Sequence, residues 1–94
     1  MHIAKLPRFF LAQLPTPLEK LPRLSLGLGG PELLIKRDDQ TGLALGGNKA
    51  RKLEFLVGDW LERGIDTVVT CGSTESNFVR HLAVACDMAA IECH

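Results

Sequence analysis

Between residues 48 and 93 the apolar side chains change their spacing from helical to strand-like and back, and few folds accommodate that alternation. Behind Asn48, apolar residues fall at Ala50, Leu53, Leu56, Val57, Trp60 and Leu61, the 3-4-3 rhythm of one buried helical face. Asn48 is a good N-cap and Gly64 a good C′ residue, which predicts a helix from about Asn48 to Arg63. Asp66 then introduces Thr67-Val68-Val69-Thr70, a β-branched run that reads as a buried parallel strand. Ser73 to Asn77 is polar turn chemistry. A second helix follows from about Ser76 to Ala89, with Val79, Leu82, Ala83, Cys86 and Ala90 on its inner face. Ile91-Glu92-Cys93 opens another strand.

Upstream, Glu32 to Arg37 is an apolar core with charged edges, best read as a strand, and Asp38 to Gly42 is a turn. Residues 1–30 read as an extended lead-in, because Pro7, Pro15, Pro17 and Pro22 interrupt any long helix. Within it, Leu18 to Leu24 has room for one short helical turn. The order strand, helix, strand, helix, strand over 31–94 predicts an α/β class with an open parallel sheet and flanking helices. So few strands leave sheet edges unpaired. The expectation is an incomplete fold, with 1–94 as the N-terminal part of something larger.

Composition removes several function classes. Eleven basic residues are spread among eleven acidic ones for a net charge of zero, without the one-sided basic stripe of a nucleic-acid binder. No apolar run is long enough to span a membrane, and no secretory leader is recognisable. Cys71, Cys86 and Cys93 are odd in number and lack Cys-x-x-Cys spacing, so neither a disulfide framework nor a metal site is expected. Free thiols without a leader point to the cytoplasm.

The chemistry concentrates at Gly46-Gly47-Asn48-Lys49. Gly42 to Gly47 has the glycine spacing of a phosphate loop, but Asn48 occupies the position that loop gives to lysine. Neither Lys49 nor Ala50 supplies its serine or threonine, and the phosphate loop is excluded. Lys49 instead lies in the first turn of a helix, beside unpaired N–H groups and the positive end of the macrodipole. That position disfavours an extra positive charge, which suits an amine meant for Schiff-base chemistry. A solvated surface lysine is the plain alternative.

Three blocks together resemble a known family: Leu14-Pro15-Thr16-Pro17-Leu18-Glu19, Ile35-Lys36-Arg37-Asp38-Asp39 with Thr41-Gly42, and Gly46 to Leu56. The chain is similar to the pyridoxal-phosphate-dependent D-cysteine desulfhydrases, L-cysteate sulfo-lyases and 1-aminocyclopropane-1-carboxylate deaminases. The resemblance implies a tryptophan-synthase-β-like fold (PLP fold type II), with pyridoxal 5'-phosphate held in a cleft between two domains. It implies Lys49 as the Schiff-base lysine, Asn48 and Asn77 as further cofactor-binding residues, and Ser76 as a catalytic group near the substrate. Asn77 would donate its amide to the cofactor's phenolic oxygen. The implied partner is a small amino-acid substrate, and a complete chain would be compatible with a homo-oligomer, a dimer. The implied reaction is β-elimination from D-cysteine or L-cysteate, or deamination with opening of a cyclopropane ring. The alternatives are a truncated remnant without catalysis and a cofactor-binding module without turnover. Ser76 or Asn77 could also be simply the N-cap of the second helix. Two departures stand out: Phe78 where the family commonly has histidine, and Cys86 to Ala90 where a lysine-leucine-glycine helix end is usual.

Overall fold

The computed structural model describes residues 2–94. In chain order the elements are β1 (Leu18–Lys20), α1 (Pro22–Leu28), β2 (Leu34–Lys36), α2 (Lys49–Glu62), β3 (Thr67–Val68), α3 (Asn77–Ala89) and β4 (Glu92–Cys93). Single 3₁₀ turns lie at Ile3–Lys5, Asp38–Gln40 and Leu43–Leu45. β3 and β4 pair in parallel, Thr67 opposite Glu92, and α3 is the crossover between them. This is the strand–helix–strand unit that the alternating pattern predicts. No helix among the described residues is long and apolar enough to cross a membrane.

Three details differ from the sequence reading. β2 does not join the parallel pair; it pairs antiparallel with β1, Glu19 opposite Ile35. Leu18 to Lys20 is therefore strand, a pairing set by residues 34–36 further along the chain that local pattern cannot reveal. Nor is the lead-in wholly extended, since α1 runs two turns to Leu28. Pro22 occupies its N1 position, where a missing N–H costs nothing. Finally, β3 is no buried strand: it ends at Val68, and Val69 is 78% exposed.

The core forms where α2 crosses α3, with Leu53 and Val57 packed on Leu82, Ala85, Cys86 and Ile91. Of the face expected on α2, Ala50, Leu53 and Val57 are buried, but Leu56 and Leu61 are exposed and Glu54 and Gly58 are buried instead, so the buried face is rotated. The lead-in explains the rotation. Residues 7–12 lie across α2, so that a Cβ on Gly58 would meet the Pro7 and Arg8 backbone at 2.6 Å. Glu54 is buried beneath the same segment, accepting from the N–H groups of Leu11 and Ala12 and pairing with Arg8. On α3 the inner face is His81, Leu82, Ala85 and Cys86, while Ala83 and Ala90 are exposed. Burial pushes the Cys86 thiol up to about 11, with Cys93 beside it adding to the shift.

Both helices end alike. Gly64 is left-handed at φ 70°, with Gly64 N–H on the Leu61 carbonyl and Ile65 N–H on that of Trp60. α3 closes with the same pair of bonds, Ala90 to Asp87 and Ile91 to Cys86. Its left-handed residue is Ala90, at φ 55°. α3 thus exits as α2 does, with a Cβ where glycine is preferred.

Candidate active site

Lys49 is the half-buried first residue of α2, and exposed Asn48 precedes it. The loop 41–47 places both. Fully buried Thr41 closes this loop: its hydroxyl donates to the Gly47 carbonyl at 2.8 Å and accepts from the Gly47 N–H at 3.0 Å. In between, Gly42, Ala44, Leu45, Gly46 and Gly47 all have positive φ. Such a run is strained for alanine and leucine and persists only when its surroundings fix it. The two glycines at its end are sterically required. A Cβ on Gly46 would lie 1.9 Å from the Asp39 carbonyl oxygen, and one on Gly47 would lie 2.7 Å from His81 Cε1.

α3 grips the loop from the other side. Arg80 Nε donates to the Ala44 carbonyl at 2.9 Å, and His81 Nε2 lies 2.8 Å from the Gly46 carbonyl oxygen. Asn77, one turn before His81, has its Nδ2 3.6 Å from the point a Gly47 Cβ would occupy. The N-termini of α2 and α3 therefore meet at Gly47, which brings Asn48, Lys49 and Asn77 into one neighbourhood. Ser76 is the N-cap of α3, its hydroxyl accepting from the Val79 N–H at 3.4 Å. Asn48 is not a side-chain cap: its backbone is already helical, and its amide makes no capping bond. An open cleft of about 610 Å³ runs from β2 and Asp38 to Gly47 and Asn48. Lys49, Ser76 and Asn77 are not part of its lining.

Asp38 ties this neighbourhood to the β1–β2 pair. Arg51, in the first turn of α2, grips both its carboxylate oxygens at 2.7 and 2.9 Å, and the Thr16 hydroxyl donates to it at 2.8 Å. Those bonds, Arg51's first, hold the Asp38 carboxyl at about 2, well below the usual carboxylate range. Phe78 points elsewhere. Its ring packs on the α2–α3 core, with the Lys52 amine 4.8 Å from its centroid. Position 78 is accordingly a packing position at the helix interface.

Thr41 and His81 hold the loop, and sequence reasoning gave neither of them a role. Thr41 stands in one of the three blocks that carry the family resemblance, and His81 follows Asn77 by four residues and so shares its helical face.

Comparison with known proteins places the chain in a family. The family model described as pyridoxal-phosphate dependent enzyme matches residues 9–94. The D-cysteine desulfhydrases of Salmonella paratyphi B and Salmonella newport are 52% identical over 92 residues, covering 98% of this chain. The chain spans only 28% of the length of these relatives. A crystal structure of an ACC deaminase homologue superposes with a TM-score of 0.88 at 41% identity, covering 99% of this chain and 30% of that one. The chain belongs to the pyridoxal-phosphate dependent enzyme family.

Proposed function

We propose that this chain is the lysine-bearing part of a pyridoxal-phosphate-dependent lyase or deaminase acting on a small amino acid, D-cysteine foremost. The observation that carries the reading is the presentation of Lys49 from a fixed glycine loop, with Asn77 delivered beside it by a second helix. The residues suit the cofactor's chemistry: Lys49 offers a primary amine at a helix start, and the bare backbone at Gly46-Gly47 is a surface that any Cβ would obstruct. When bound, pyridoxal phosphate supplies an electron sink for a carbanion at the substrate α-carbon.

In this reading Lys49 would hold the cofactor through its amine and would serve as the base for the α-proton. Asn77 would donate its amide to the cofactor's phenolic oxygen. Asn48, exposed on the cleft, contributes a further polar contact. Ser76 stands next to Asn77 with a hydroxyl that a substrate can engage once it leaves the cap. Loss of hydrosulfide or sulfite by β-elimination, followed by hydrolysis by water, would give pyruvate and ammonia; ring opening of a cyclopropane followed by hydrolysis would give a 2-oxo acid and ammonia. A cytoplasmic setting belongs to the same reading, supported by the free thiols of Cys71, Cys86 and Cys93.

The test uses the full-length protein. D-cysteine, L-cysteate and 1-aminocyclopropane-1-carboxylate are supplied separately while sulfide, sulfite and ammonia are followed. Borohydride reduction with peptide mapping then locates the modified lysine. Sulfide release from D-cysteine with the label on Lys49 is the expected result. Label on Lys36 or Lys52 instead, or no turnover of any of the three, would sink the reading.

A further inference from the structure

His81 is fully buried, and among the described residues its Nδ1 is a buried side-chain atom without a hydrogen-bond partner. A carbonyl oxygen can only accept, so the Nε2 facing Gly46 must carry the ring proton, and Nδ1 is left as a bare lone pair. A buried polar atom left unmatched is costly, and a leucine could fill the same space without it. Core packing alone therefore gives no reason for a histidine here. The loop does: Gly46 and Gly47 take up backbone angles that need outside support, and the His81 ring supplies a donor to one and a wall against the other.

We propose that His81 is a positioning residue of the Lys49 site. Its ring, carried by α3, fixes the backbone of Gly46-Gly47 and thereby the point and direction from which α2 starts and Lys49 projects. It acts through the Gly46 carbonyl and needs no contact with cofactor or substrate. Arg80 assists from the preceding position by holding the Ala44 carbonyl. The part concerning Lys49 rests on the function proposed above; the part concerning the loop does not.

The test compares His81→Leu with His81→Gln in the full-length protein. Leucine keeps the volume without a donor, whereas glutamine retains an N–H able to reach the same carbonyl. Two quantities are read: amide hydrogen exchange across residues 42–49 without cofactor, and affinity for pyridoxal phosphate. His81→Leu should speed the exchange and weaken the affinity by about tenfold each, and His81→Gln should keep both within about threefold. Equal behaviour of the two variants, or unchanged exchange in His81→Leu, overturns the proposal. Should His81→Leu fail to fold, the ring ¹⁵N shifts of the unmodified protein decide. A proton on Nε2 supports the proposal and a proton on Nδ1 refutes it. Exchange that follows the stated pattern in a protein whose Lys49 takes no cofactor sustains the loop-fixing role and overturns only the reading of Lys49.

Discussion

Between Leu18 and Lys36 no residue is buried, whereas between Thr41 and Gly58 buried positions recur at Thr41, Leu43, Gly46, Ala50, Leu53, Glu54, Val57 and Gly58. The first region, β1–α1–β2, is held by strand hydrogen bonds and exposed ion pairs such as Arg37 with Glu19 and Lys20 with Glu32. Pairs of that kind contribute little to stability. The second region is held by the apolar α2–α3 core and by two buried polar side chains, Thr41 and Glu54, each bonded to particular backbone groups. The loop that offers Lys49 belongs wholly to this second kind. Side-chain identity should therefore matter steeply from 41 to 58 and weakly from 18 to 36.

The steepest break in that contrast is Gly46→Ala. With φ at 79° and the new methyl 1.9 Å from a carbonyl oxygen, the loop must move, at a cost of about 4 kcal/mol. Denaturant unfolding measures this, and a loss under 1 kcal/mol would mean the loop is not fixed as described. Glu54→Ala comes next, at about 3 kcal/mol, since Arg8 and two N–H groups lose their acceptor together. A melting temperature within a degree or two of the parent would show that water replaces the carboxylate.

Asp38 joins the two regions, and its effect depends on pH. Its carboxyl is held near 2 against an ordinary 3.8, so the folded state favours the ionised form. The stabilisation is complete above about pH 4 and fades as pH falls toward 2. Asp38→Asn should lower the melting temperature at pH 7 and flatten its decline between pH 4 and 2. An unaltered acid limb would assign that decline to other carboxylates. Smallest are two gains. Ala90→Gly should stabilise by about 1 kcal/mol by relieving a left-handed alanine. Gly27→Ala, inside α1 with nothing within 4 Å of the added methyl, should add about 0.5 kcal/mol. A large loss at Gly27 would erase the distinction between the regions.

The same division governs what the sequence discloses. α2 and α3 are legible because a 3.6-residue period is local, and Gly64 marks its helix end through an intrinsic preference. The burial of Glu54 is not legible, since what neutralises it is a segment more than forty residues upstream. β1 escapes notice for the same reason: three exposed residues become a strand only through β2. Lys49 stands out because lysine behind two glycines is a chemical pattern as well as a structural one. His81 does not, because a histidine between Arg80 and Leu82 has no local mark until the loop it holds is folded against it.

The grip of α3 on the loop also bears on how this chain tolerates changes of length. Asn77, Arg80 and His81 reach the loop because they stand at fixed rotations about one helix axis. One residue inserted between Asn77 and Arg80 turns everything after it by about 100°. The insertion would swing the imidazole and guanidinium away together, with every side chain still present. Exchanges of identity at 78 or 79 can be absorbed by repacking, but a shift in count cannot. A genetic screen should recover substitutions at 78 and 79 far more often than single-codon insertions or deletions between 77 and 80.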